Sequence, residues 1–372
     1  MTSLRLCGLM MGATVGLLLT LATAQPGQEK VGVSTKELRP VLDKAVAYLK
    51  TSQKADGSFS PKFGPGITGI VVAGLLCCGH GPDEPVVAKG LKYLESRVKD
   101  DGGVYDKGLA NYTTSVAIMA FHEANKGGKY DTILKNAAAF LKGIPDTSNP
   151  KDPKFGGAGY GKGDRPDASN TNFTIEALLA AGVPKDDPAI QNALKFIGRC
   201  QNLPGEFNDQ PWAKKADKDN IGGITYLPFD ADDNQHKLPD GGLRSLGGMT
   251  YGGLKSFLYA GVAKDDPRVK AAVNWIRNHY TLDENPGMGQ KGLYYYHHTF
   301  AKAMQAWGEN RFADAKGTKH DWRRELFEAL QKRQGENGSW MNKGDRTFME
   351  ENPDLATAFA VLALSYCDAS KR

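Results

Sequence analysis

The chain has 372 residues, with 47 basic and 42 acidic side chains, 40% hydrophobic residues and 24% charged ones. These values sit near folded-protein averages, which excludes a disordered chain, and a net charge of +5 is too mild for a nucleic-acid-binding surface. Glycine at 44 and proline at 19 predict many short elements separated by marked turns.

Residues 1–24 read as a secretory leader. Arg5 supplies the charged start, an apolar run extends from Leu6 to Leu21, and Ala22-Thr23-Ala24 offers a small-residue cleavage site before Gln25. The run falls short of the roughly 20 residues a membrane span needs, and no later stretch could cross a bilayer. The expectation is an exported chain, periplasmic or extracellular, with no span after leader cleavage and a single domain over 25–372.

Along that domain, a 3.6-residue period predicts amphipathic helices near 35–52, 84–97, 129–142, 186–200, 265–279 and 319–334. They alternate with apolar helices near 67–78, 112–124, 170–181, 249–260, 296–307 and 354–366. A helix that is apolar on nearly all sides is a buried one. Asp-Asp-Pro before the fourth and fifth amphipathic runs, ending at Pro188 and Pro267, marks helix starts. A long polar insertion covers about 202–248.

Repeats tie these elements together. Leu49-x3-Gln53-x3-Gly57-x-Phe59, Ile197-x3-Gln201-x3-Gly205-x-Phe207 and Leu330-x3-Gln334-x3-Gly338-x-Trp340 share one pattern. Each apolar helix also carries a threonine near its start: Thr68, Thr114, Thr171, Thr250, Thr299 and Thr357. Six alternating pairs with no strand pattern predict an all-α fold, an α/α toroid of six helical hairpins with six inner and six outer helices. An open superhelix is the alternative, but the last apolar helix has no polar cap and needs a neighbour, which the first could supply. Closure would bring Cys367 near Cys77 or Cys78, where a disulfide or buried thiols would both fit.

The repeats at Gln53, Gln201 and Gln334 resemble the QW-type repeat of squalene and terpenoid cyclases, and the six-pair organisation is similar to the protein prenyltransferase β subunit. Gly242-Leu-Arg-Ser-Leu-Gly-Gly-Met-Thr-Tyr-Gly-Gly-Leu-Lys-Ser256 and Gly292-Leu-Tyr-Tyr-Tyr-His-His-Thr-Phe-Ala-Lys302 look like the secreted bacterial prenyltransferase/squalene-oxidase-repeat proteins. The resemblance covers the whole mature chain and implies the toroid strongly and a chemistry weakly.

Asp230-Ala-Asp232-Asp233 has the DxDD form that supplies a protonated aspartic acid in class II terpene cyclases, so Asp230, Asp232 and Asp233 are the catalytic candidates, with a solvated acidic loop as the alternative. The same segment begins like a calcium loop but has Gln235 where the turn glycine belongs and Gly241 where the bidentate Glu belongs. The prenyltransferase zinc set is matched only around His298, and no Asp-x-Cys occurs anywhere in the chain, so neither a cofactor nor a metal is expected.

Binding candidates come from the loops that lead into apolar helices. Lys162-Gly-Asp164-Arg165 repeats as Lys343-Gly-Asp345-Arg346, and Tyr105, Tyr112, Tyr160, Tyr226, Tyr251, Tyr294, Tyr295 and Tyr296 crowd the same end, with Arg244, His297 and His298. Aromatic faces with Arg and Asp at a rim suit a hydrophobic small molecule or a polysaccharide, while turn anchoring by the same residues is the plainer reading. Four functions stay open: a binding module, a terpenoid cyclase-like enzyme, a carbohydrate-active (α/α)6 enzyme using acids such as Glu350, Glu351 and Asp354, and an interaction scaffold that docks a partner through the insertion.

Overall fold

The computed structural model describes residues 31–229 and 235–370. The leader at 1–24 and the acidic string Asp230, Asp232 and Asp233 lie outside the described residues. Twelve α-helices are found among the described residues. The amphipathic ones are α1 (Thr35–Ser52), α3 (Pro85–Glu95), α5 (Asp131–Lys142), α7 (Pro188–Arg199), α9 (Pro267–Asn278) and α11 (Trp322–Arg333). The apolar ones are α2 (Gly66–Cys77), α4 (Ala110–Glu123), α6 (Ala168–Ala180), α8 (Gly247–Tyr259), α10 (Leu293–Trp307) and α12 (Pro353–Leu364). β-structure among these residues is confined to isolated bridges and one antiparallel pair, β1 (Phe312–Ala313) with β2 (Lys319–His320). None of the described helices is long and apolar enough to cross a membrane.

Helix starts follow the local chemistry. Ser34 and Glu37 form a capping box on α1, and Asp187 and Asp266 accept the amides of Ala189 and Arg268 ahead of Pro188 and Pro267. The apolar helices are enclosed: α2 buries all but two of its residues and α12 all but one. Each packs on the next, α2 on α4, then α6, α8, α10 and α12, and α12 packs back on α2. The amphipathic helices lie against these six. The beginning and end of the described unit also pair, since the Val33 amide donates to the Cys367 carbonyl and the Ala369 amide to Val33.

The glutamine repeat is a clasp. Gln53 Nε2 donates to the carbonyls of Gly57 and, on α3, Val86, at 3.1 and 2.8 Å. Gln334 Nε2 makes the same pair with Gly338 and, on α1, Val41, at 2.9 Å each. Gly57 and Gly338 have φ of +90° and +86°, and a Cβ would stand 2.2 Å from Lys89 O in the first and 2.3 Å from Lys44 O in the second. Only glycine fits these turns.

The middle repeat differs from the sequence expectation. Gln201 clasps Gly222 and Arg268, not Gly205. Part of the insertion interrupts the motif, so Gly222 (φ +88°, with Ala271 O 2.4 Å from an added Cβ) takes the turn position.

Five of the six threonines accept an amide from the preceding turn: Thr68 from Phe59, Thr114 from Val104, Thr171 from Ala158, Thr250 from Ile224 and Thr357 from Trp340, at 2.9–3.0 Å. Thr299 instead donates back to its own helix, to the carbonyls of Tyr295 and Tyr296. His297 takes over the anchor, its Nε2 donating to Leu282 O at 3.0 Å. Burial pushes this imidazole down to about 4, which keeps it neutral.

Cys77, Cys78, Cys200 and Cys367 are not bridged to one another. Cys78 Sγ and Cys367 Sγ lie 3.6 Å from the Val361 and Ala363 carbonyls of α12.

Candidate functional site

A cavity of about 1090 Å3 opens where the first turns of α4, α6, α8, α10 and α12 converge. Helix N-termini carry partial positive charge, and Arg165, Arg244 and Lys291 share the lining with Asp217, Asp219 and Glu284. The insertion, a small lobe around Trp212, Ala213 and Leu243, walls one side through residues such as Asn220, Leu227, His236 and Arg244. Its deeper surface is aromatic. Phe173 meets Tyr112 edge-on at 5.2 Å and Tyr295 at 6.0 Å, and Tyr295 meets Phe359 edge-on at 5.8 Å. Among the described residues three non-glycines have positive φ, and two of them, Leu109 (54°) and Met349 (58°), line this cavity. Such backbone strain costs roughly 1–3 kcal/mol per residue and gathers at functional sites.

Of the sequence candidates among the described residues, Tyr112, Tyr160, Arg165, Tyr226, Arg244 and Tyr295 line the cavity. The others do not. Tyr251 and Tyr296 are buried against each other at 5.6 Å and pack on Phe300, and Tyr296 spends its hydroxyl on Thr281 O at 2.6 Å. His297 is the loop anchor described above, and His298 lies beneath the aromatic rings in a separate void.

The two Lys-Gly-Asp-Arg strings are not equivalent. Asp164 is exposed at the tip of its turn, whereas Asp345 is buried and accepts the amides of Gly292 and Phe348 at 2.7 and 3.1 Å. Arg346 is exposed and pairs with Glu351 at 3.3 Å. Phe173 and Phe359 were not singled out by sequence as part of the binding floor, whereas Tyr295 was among the aromatics expected there. In the tyrosine run, one residue turns the side chain by about 100° around the helix, which separates Tyr295 in the cavity from Tyr296 in the outer layer.

The acids named for carbohydrate chemistry are committed elsewhere. Glu350 accepts the Tyr295 amide at 2.8 Å at the start of α10, and Asp354 accepts the hydroxyls of Tyr48 and Ser60 at 2.9 and 2.6 Å. With Glu351 on Arg346, no acid pair from this trio faces the cavity. Asp167 caps α6 through the Asn170 amide at 2.8 Å and sits behind the wall, where burial pushes its carboxyl up to about 6. The cavity's described acids, Asp217, Asp219 and Glu284, stand at its rim, and Asp217 is occupied by the Asp219 and Asn220 amides at 3.0 Å. Among the described residues no group of His, Cys, Asp and Glu is arranged to hold a metal.

No family model matches the chain, and no curated protein matches it. In structure it is similar to the apo type II terpene cyclase MstE from Scytonema, at 16% identity and a TM-score of 0.34, over 89% of this chain and 97% of that one. Variants of that enzyme holding geranylgeranyl dihydroxybenzoate or merosterolic acid A match over the same shares at 14% identity, with TM-scores of 0.34 and 0.33.

Burial pushes the Glu350 carboxyl up to about 7. A carboxyl whose folded value exceeds its unfolded one favours the folded state while protonated, so that contribution is present below about pH 4.5 and is lost as pH rises through 7. Denaturant titrations should therefore show the wild type losing up to about 3 kcal/mol relative to Glu350→Gln between those limits. Parallel pH profiles for the two proteins would sink this assignment.

Proposed function

We propose that the chain is an exported α/α toroid that binds an extended apolar ligand of isoprenoid-like chemistry at the mouth formed by its inner helices. The observation that carries this reading is the 1090 Å3 cavity floored by Tyr112, Phe173, Tyr295 and Phe359. Such a volume suits a long chain or fused rings, and polar side chains such as Asn170, Asn220 and Asn285 beside the aromatic floor would orient a ligand that is apolar over most of its length. A saccharide would leave the hydroxyls that face Tyr112, Phe173, Tyr295 and Phe359 against ring carbon, where unmade hydrogen bonds are costly. The inner-helix cycle and the Gln334 clasp on α1 support the toroid.

The cyclase reading is kept for one reason. Leu227 and Gln235, which flank the acidic string in sequence, both line the cavity. Proton donation from Asp232 to an alkene or epoxide is the step this reading requires.

Protein recovered from the exported fraction, beginning at Gln25, is expected to carry an apolar molecule detectable by native mass spectrometry. Added geranylgeraniol should shift the emission of Trp275, which stands in the cavity wall, and maltohexaose should not. The reverse pattern would overturn the proposal. Asp232→Asn is expected to keep geranylgeraniol binding while abolishing any turnover of polyprenes; turnover at the wild-type rate would remove the cyclase reading and leave a binding protein.

A further inference from the structure

Tyr295, His298 and Lys302 follow one another along one face of α10 at helical spacing. Tyr295 lines the cavity. One turn deeper, His298 is 1% exposed, and neither Nδ1 nor Nε2 has a hydrogen-bond partner. It forms part of the wall of a second void, about 10 Å3, whose other sides are apolar. Phe173 and Phe359 line both spaces, so these two rings stand between the cavity and the histidine, and His298 stacks on Phe359 at 5.5 Å.

A buried imidazole with no partner is a cost that leucine at the same place would not carry. Burial, and then the Lys302 ammonium, push His298 well below its ordinary range. It is therefore a neutral ring offering one N–H and one lone pair. A turn further on, Lys302 of α10 and Lys255 of α8 share the carboxylate of Glu176 from α6, all three buried. Two ammonium groups on one carboxylate leave an excess positive charge beneath the histidine, which opposes an electron-poor group there and favours the negative end of a C–O dipole. A void of this size holds a single water at most, and its apolar walls would give that water too few partners.

We propose that His298 is the inner end of the binding site: the apolar ligand carries a hydroxyl or carbonyl oxygen on the end that enters first, and that oxygen passes between Phe173 and Phe359 to hydrogen-bond the imidazole. The inference rests on the apolar-ligand reading above and adds the ligand's orientation and terminal chemistry.

The test uses the whole mature chain and two probes that share a chain length, geranylgeraniol and the hydrocarbon phytane. Wild type should bind the alcohol about 10-fold more tightly, the size of one well-placed hydrogen bond. In His298→Leu that ratio should fall to about 1, with thermal stability unchanged or raised, and His298→Gln, which keeps a donor and an acceptor, should restore part of it. A wild-type ratio of 1, or a preference for the alcohol that survives in His298→Leu, overturns the inference while leaving the apolar-ligand reading intact. Failure of wild type to bind either probe overturns both.

Discussion

Glu176→Gln is expected to destabilise the protein by about 3–5 kcal/mol, read as a shift of the denaturation midpoint at constant slope. The substitution keeps size and hydrogen-bonding groups but removes the one negative charge that Lys255 and Lys302 share inside the helix cycle. Burial opposes ionisation of Glu176, yet the two ammonium groups hold its carboxyl well below the usual range, so the wild-type carboxylate stays charged. Without it, two buried cations face each other. Burial already lowers the proton affinity of Lys255, and without the carboxylate its folded-state proton is held more weakly still, so the variant should regain stability as pH rises toward the lysine range. Replacing all three together (Glu176→Leu, Lys255→Met, Lys302→Met) should cost less than about 1 kcal/mol or stabilise, because no charge is left to desolvate. A Glu176→Gln protein within about 1 kcal/mol of wild type would show that the cluster is hydrated and not sealed.

The second large effect is expected at Gly338. Alanine there must hold φ at +86°, and its Cβ would lie 2.3 Å from the Lys44 carbonyl oxygen and 2.6 Å from its carbon, both backbone atoms of α1. Gly317 serves as the reference, since its φ of +84° is nearly the same and nothing lies within 4 Å of an added Cβ. Gly317→Ala should cost about 1–2 kcal/mol, the price of the left-handed backbone alone. Gly338→Ala should cost at least about 2 kcal/mol more, because α1 must move and the Gln334 clasp on Val41 with it. Equal losses in the two variants would mean that the contact between this turn and α1 contributes nothing to stability.

The alternation of two-faced and uniformly apolar helices made the elements legible to within a few residues, since burial on one side and burial on all sides leave different patterns in the chain. The failures have specific causes. Gly205 fitted the repeat by spacing alone, whereas the inserted lobe carried the true turn glycine to Gly222. Thr299 matched in type but sits two positions from the anchoring register that His297 occupies. Phe173 and Phe359 belong to helices with no polar face, so nothing in the pattern distinguishes a side chain facing a cavity from one facing a neighbour. One signal was present and unused: Glu176, Lys255 and Lys302 are lone charges in otherwise apolar or aromatic stretches, and isolated charges in such helices point inward to one another.

The bond from Gln334 to Val41 and the packing of α12 on α2 join the last of the described helices to the first. As the nascent chain emerges, α2 has no cover on one flank until more than two hundred and fifty residues later. Covering of α2 must therefore wait until α12 has been made, a high-contact-order route that is slow and leaves oily surface open to aggregation in the interval. Truncations near α12 should do their first damage at α1 and α2, and a holdase that shields those helices would raise the yield of native protein more than any change to the late ones.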